Sequence, residues 1–233
     1  MEGLSLIYAV LAYVVWRFRP AQQAASGPTD EKGLLTLAVC FWFFGHLGAF
    51  VPWASTSAFA AHTVTTVVRL VAVFLMLRCI THPSVVGLSR PRPLWLPAWG
   101  LSCFLLFLPL LALLSQLRSE VIDQDAVDQV KAASDLMTQS ALLVSLVLVT
   151  PFFEELLFRG LLQRVATHET GPAAGVLITA LVFMVVHPRG VWLDVFSLGL
   201  LLGYLYHYTR NLWVPIGIHM AHNALAFVVY TNS

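Results

Sequence analysis

Apolar residues in this chain come in long runs, and polar residues come in short interruptions between them. A helix that crosses a bilayer needs roughly 20 mostly apolar residues. Eight runs are candidates: residues 4–16, 34–51, 58–77, 94–117, 140–165, 172–187, 191–208 and 213–230. The first is short and stops at Arg17, Arg19 and Pro20; a polar, turn-like stretch, AQQAASGPTDEKG, follows it. Between the third and fourth lies HPSVVGLSRPRPLW, Pro-rich and basic, which reads as a loop at the membrane surface. The longest interruption is RSEVIDQDAVDQVKAASD, residues 118–135. Its Ala126, Val127, Val130, Ala133 and Met137 recur at helical spacing, so it reads as an interfacial helix or a solvated loop.

The pattern predicts an all-α polytopic membrane protein of about eight transmembrane helices enclosing an intramembrane polar cavity. A single membrane domain spans 1–233, divided into four N-terminal helices (1–117), a polar loop or interfacial helix (118–139) and a C-terminal group of helices (140–233). The N-terminus has no small-residue cleavage site, so the first run reads as retained.

Composition sharpens this picture. Of 233 residues, 58% are hydrophobic and 11% charged, against about 25% charged in soluble domains. The solvent is therefore lipid. A net charge of +1 gives no reason to expect nucleic acid as a partner. Cys40, Cys79 and Cys103 lie in or beside apolar runs without metal-ligand spacing and read as small apolar residues. In the interruptions, eight bases fall on one side (Arg17, Arg19, Lys32, Arg78, Arg90, Arg92, Arg164, Arg210) and three on the other (Arg118, Lys131, Arg189). By the positive-inside rule the first side is cytoplasmic and both termini lie outside. Trp16, Trp53, Trp95, Trp99, Trp192, Trp213 and Tyr230 stand near helix ends, where an interfacial belt is expected.

Against this background the stretch PFFEELLFRG, residues 151–160, carries two acids and a base between apolar runs. On a continuous helix Glu154 and Glu155 point roughly 100° apart. Glu155 and Arg159 are four apart in the favourable acid-first order, so they pair. Glu154 has no local partner, and a carboxylate of that kind in low dielectric is a general-base candidate. The plainer reading is a pair of structural salt bridges between helices.

Two further groups follow in the C-terminal half. In FMVVHPRG, Phe183 and His187 share a face, and His187 precedes Pro188, where a helix tends to end. In GIHMAHN, His219 and Asn223 share a face, with His222 one step round. An imidazole and an amide together suit a developing oxyanion. His46, His62, His82, His168 and His207 read as polar side chains bonded between helices, and His222 as a packing or rim residue. Gly199 and Gly203 form a G-x-x-x-G that reads as close internal helix packing. A carboxylate base with histidines and an amide inside a membrane points to hydrolysis of an amide bond. A zinc version with Glu, His and His ligands is conceivable, although HExxH is absent.

EELLFR, FMVVH and HMAHN resemble, in order and spacing, the EExxxR, FxxxH and HxxxN motifs of the CPBP intramembrane proteases, the type II CAAX prenyl endopeptidase family. The resemblance covers residues 140–230. It implies an eight-helix membrane endopeptidase in which Glu154 activates water with help from His187. His219 and Asn223 would form the oxyanion site, with Glu155, Arg159 and Phe183 in support, and no bound metal would be needed. The implied partners are the lipid bilayer and a protein or peptide substrate, with or without a lipid or a C-terminal sorting signal. The alternatives are a transporter or proton relay, disfavoured by the lack of paired broken helices in two halves, and a non-catalytic immunity factor that kept the fold. Neither G-x-S-G nor G-x-G-D is present.

Straight spanning helices raise a difficulty. They place His187 near the outer end of the sixth run, His219 in the inner third of the eighth and Glu154 in the inner half of the fifth. For these to meet, some helices must be short, tilted or displaced in depth.

Overall fold

A computed structural model describes residues 31–46, 57–80, 86–88, 96–116, 133 and 135–231. The first apolar run, both chain termini and nearly all of the polar piece 118–135 lie outside the described residues. The described residues are helical throughout, with short connections. Helix α1 is Glu31–His46, α2 Ala58–Cys79 and α3 Leu96–Gln116. Helix α4 is a continuous 35-residue helix, Leu136–Thr170. Helix α5 is Pro172–Val185, α6 Trp192–Thr209 and α7 Trp213–Thr231.

Local chemistry sets these boundaries. Ser57 accepts from the Ala60 N–H at the start of α2, and Asp135 accepts from the Thr138 N–H at 2.8 Å at the start of α4. The bonds from Thr138 hold the exposed Asp135 carboxyl below the usual carboxylate range, so this cap is complete at neutral pH and is lost on acidification. Helix α4 ends at Gly171, whose φ of 86° suits a residue without a Cβ, and Pro172 opens α5. Arg210 closes α6 with φ 51°, its N–H bonded to the Tyr206 carbonyl. The Asn211 side chain then accepts from the Trp213 N–H to start α7.

Three helices are long and apolar enough to cross a membrane: Phe59–Cys79, Leu136–Thr170 and Arg189–Thr209, the last counted with the short 3-10 turn before α6. Gly100–Leu114, Pro172–Val185 and Trp213–Val229 are shorter apolar helices. Phe74, Leu105, Leu106 and Leu113 are exposed on α2 and α3, as expected of faces whose solvent is hydrocarbon. These features and the composition make the chain an integral membrane protein.

Helix α4 is the axis of the arrangement. Its buried face joins α1, α2 and α5 in one apolar cluster that includes Leu35, Met76, Phe153, Leu156, Leu161 and Phe183. A smaller cluster, Phe104, Leu198, Leu202, Leu205, Val214 and Ile218, joins α3, α6 and α7. The G-x-x-x-G of α6 provides internal packing. A Cβ on Gly199 would meet Ala180 at 3.3 Å, and one on Gly203 would meet Gln163 at 3.0 Å and Val176 at 3.1 Å.

Helix α4 is not wound uniformly. Leu143–Val149 and Leu156–Gln163 are π-helical, and the α-helical segment between them is Thr150–Glu155. Proline explains the first. Pro151 has no N–H and its ring crowds the carbonyl four residues back. The preceding turns widen, and the Thr150 N–H reaches the Ser145 carbonyl, five residues back.

The tightest helix contact joins the end of α4 to the start of α5, where a Cβ on Gly175 would stand 2.5 Å from the Thr167 backbone. Gly175→Ala is expected to lower stability by about 1–3 kcal/mol, read as a lower unfolding midpoint in detergent. Gly190→Ala, which meets nothing within 4 Å, serves as the control and is expected to leave the midpoint unchanged.

Candidate active site

The short α-helical segment of α4 carries both acids, and their surroundings differ. The Glu155 side chain is fully buried, whereas that of Glu154 is 14% exposed. One acid is sealed and the other is open at an edge. Glu155 Oε1 accepts from Arg159 Nη1 at 2.8 Å and from His219 Nδ1, also at 2.8 Å. Arg159, itself fully buried, donates through Nη2 to the Gly199 carbonyl at 3.3 Å. Its guanidinium lies 4.5 Å from the centre of the Phe183 ring, within cation–π range. One turn further on, Gln163 Nε2 donates to the Gly203 carbonyl at 2.8 Å. The two glycines of α6 thus present their carbonyls to two long polar side chains of α4.

The hydrogen bonds also fix both ring tautomers. A carboxylate only accepts, so the contact with Glu155 places a proton on His219 Nδ1 and leaves Nε2 as the acceptor of the neutral ring. That Nε2 faces Glu154 Oε2 at 3.8 Å, too long for a direct hydrogen bond. His187 Nδ1 lies 2.7 Å from the Phe183 carbonyl, which also only accepts, so its Nε2 carries the lone pair. The Trp192 indole donates to the His187 carbonyl at 2.9 Å and fixes the backbone there. The Phe183 ring stands between the imidazoles, 4.7 Å from His187 and 5.8 Å from His219, edge-on to both. Among the described residues no group of three or more His, Cys, Asp or Glu side chains is placed to hold a metal ion.

Asn223 donates through Nδ2 to the Leu146 carbonyl at 2.8 Å, and the π turn explains the bond. In α-helical winding Leu146 would receive the Thr150 N–H, but that group is taken by Ser145. In π winding it would receive the N–H of residue 151, and proline has none. Leu146 is therefore left without its helical donor, and the amide of α7 fills the gap. The second amide hydrogen of Asn223 remains available.

The structure thus brings Glu154, Glu155, Arg159, Phe183 and His219 into one contact network, with His187 against Phe183 and Asn223 one turn beyond His219. The depth difficulty eases because α5 has only 14 residues. A helix of that length is about 21 Å long, short of the roughly 30 Å hydrocarbon core. Its His187 end lies part-way in if its other end starts at a surface. His222 packs edge-on to Phe104 at 6.3 Å, the packing role expected of it.

One charged residue at the site escapes the motif reading. Arg69 of α2 donates through Nη1 to Thr150 Oγ1 and lies 5.8 Å from the Phe153 ring centre. The available signal was a lone arginine in the middle of the apolar run 58–77, since charges at such depth are rarely idle.

Removing one member of a buried ion pair strands the other. Arg159→Leu is expected to destabilise the protein by about 3–5 kcal/mol, and Glu155→Gln combined with Arg159→Leu to recover part of that. Equilibrium unfolding in mixed detergent measures both.

Residues 137–225 match the family model described as Type II CAAX prenyl endopeptidase Rce1-like. No curated protein and no solved structure gives a match. The matched segment runs from the start of α4 into α7 and contains all three motifs. All seven of the side chains singled out from the sequence lie within this matched segment, which is similar to the Rce1-like domain of the type II CAAX prenyl endopeptidases, a family of proteases.

Proposed function

We propose that this protein is an intramembrane endopeptidase that hydrolyses a peptide bond of a membrane-associated protein or peptide, using water activated by a glutamate. The observation that carries the reading is the 3.8 Å gap between Glu154 Oε2 and His219 Nε2. Both facing atoms are acceptors when Glu154 is ionised and His219 neutral, and one water standing beside the gap, at hydrogen-bond distance from each, would donate to both. The family match supports peptide-bond hydrolysis as the reaction.

In this reading Glu154 takes a proton from the water as its oxygen attacks the carbonyl carbon of the substrate. His187, with its lone pair on Nε2, takes the remaining hydrogen of the attacking oxygen once His219 Nε2 has turned to the proton from Glu154. The proton passes from Glu154 to His219 Nε2, and Glu155 stabilises the imidazolium through Nδ1. Nε2–H and the second amide hydrogen of Asn223 then donate to the oxyanion. As the C–N bond breaks, the proton returns by the same route to the departing amine. Arg159 and Phe183 hold Glu155 and the rings in place. No step runs through a metal; in the zinc alternative Glu154, His187 and His219 become ligands.

The wider frame is part of the same proposal. It comprises eight transmembrane helices around a polar cavity in a single membrane domain, both termini on the non-cytoplasmic side, and a substrate that reaches the site from the bilayer, with or without a lipid or a C-terminal sorting signal.

Glu154→Gln is expected to lower cleavage by at least about a hundredfold, the scale of a lost general base, while the protein still inserts and unfolds at the same midpoint. Full activity in that variant removes Glu154 from the role. Strong inhibition by a chelator, reversed by zinc, assigns the same side chains to metal ligation instead. The inactive variant, used as a trap in native membranes, identifies the substrate.

A further inference from the structure

The acid pair has two guanidinium groups near it, and only one is explained by the motifs. Arg159 is committed to Glu155. Arg69 belongs to α2 and is tied to α4 at Thr150 and Phe153. Thr150 and Glu154 are four residues apart, hence neighbours on one face of the helix. A guanidinium bonded to Thr150 and lying by Phe153 is therefore aimed along the face that ends in Glu154. The Arg69 Nε is buried without a hydrogen-bond partner, so the group has a donor to spare.

We propose that Arg69 is a positioning residue for Glu154: anchored by Thr150 and Phe153, its guanidinium is the counter-charge against which the carboxylate is held ionised and aimed at His219. The importance of this for catalysis rests on the proposed hydrolysis; the charge pairing itself does not.

Physical arguments favour this over a simple staple between α2 and α4. The charges of Arg69 and Glu154 attract one another, and attraction between charges grows as water is excluded. Among the described residues the titratable groups set around Glu154 are Glu155 and Arg159 on its own helix, Arg69 from α2 and His219 from α7. Arg159 is bonded to Glu155, and His219 Nε2 stands 3.8 Å from Glu154 Oε2, beyond direct hydrogen-bond reach. Arg69 is left as the cation for Glu154. A staple would need only a hydrogen-bonding side chain opposite Thr150, and a neutral glutamine would serve.

The test is isotope-edited infrared spectroscopy of the full chain, labelled at glutamate and reconstituted in lipid at neutral pH. The carbonyl stretch of a protonated Glu154 is recognised by its loss in Glu154→Gln. It is expected to be absent from the wild type and from Arg69→Lys, present in Arg69→Gln, and absent again from the double variant Arg69→Gln/Glu154→Gln. A protonated Glu154 in the wild type overturns the proposal, as does an ionised one in Arg69→Gln. Arg69→Met keeps the apolar stem and serves in place of Arg69→Gln should that variant not fold. With a quenched fluorescent farnesylated CAAX peptide as probe, Arg69→Gln is expected to lower kcat at least about tenfold with KM unchanged, and Arg69→Lys to restore most of it. Equal kcat in Arg69→Gln and wild type overturns the catalytic consequence. A wild-type chain that cleaves no such peptide excludes farnesylated CAAX peptides as its substrate, while the infrared result reads the charge pair without turnover.

Discussion

A carboxylate with no exposed surface, Glu155, is the constraint around which the other helices are arranged. An ionised acid without water must be met by donors, because a buried, unmatched charge costs several kcal/mol. Glu155 is met from two directions through one oxygen, by Arg159 from its own helix and His219 from α7. Each partner brings further obligations. Arg159 has donors left over, and these fix α6 through the Gly199 carbonyl and α5 through the Phe183 ring. His219, once bonded at Nδ1, can rotate little, so its other nitrogen is aimed at Glu154. The second acid needs no direct bond to become part of the site, because the first has already oriented the ring that faces it.

The winding of α4 serves the same end. Pro151 stands just ahead of the acid pair, and the helix widens before it and again after it. A widened turn disturbs the carbonyl pattern of a helix, and unpaired carbonyls are costly in a membrane. The Leu146 carbonyl is the group left over, and Asn223 satisfies it. The amide that the motif assigns to an oxyanion site is therefore also a clamp between α4 and α7. His219 and Asn223 are one turn apart and hold α4 at two heights, on either side of the proline. Holding both ends of that short α-helical segment fixes the direction in which Glu154 points.

Much of this was legible in the sequence wherever the cause was local. The Glu155–Arg159 pair follows from a spacing of four, the internal packing at Gly199 and Gly203 from a spacing of four between small residues, and the helix boundaries from Pro172, Pro188 and the apolar run lengths. What could not be read has non-local causes. Proline announces a disturbance but not its form, so the π winding and the orphaned Leu146 carbonyl were hidden, and with them the partner of Asn223. The depth conflict between His187, His219 and Glu154 arose from treating every apolar run as a straight span of full length. Arg69 was passed over because its significance depends on Thr150, 81 residues away in the chain.

The distribution of cations gives the site an overall logic. Of the 13 lysines and arginines, eleven fall near or beyond the ends of the apolar runs, where water or headgroups are within reach. The two placed deep inside such runs, Arg69 and Arg159, come from different parts of the sequence: Arg159 bonds Glu155, and Arg69 bonds Thr150, four residues before Glu154. With Arg69 as the proposed counter-charge of Glu154, two carboxylates and two guanidinium groups make a set with no net charge. Such a cluster is far cheaper to keep from water than any of its members alone. In its neutral form His219, bonded to Glu155 at Nδ1, has its Nε2 open to a proton. If a water proton moves from Glu154 to that ring while negative charge appears on a substrate oxygen, the charge of the whole assembly stays constant. Low dielectric penalises a change of net charge more than a shift of charge over a few ångströms. A membrane interior can therefore host acid–base chemistry when the counter-charges are built in beforehand.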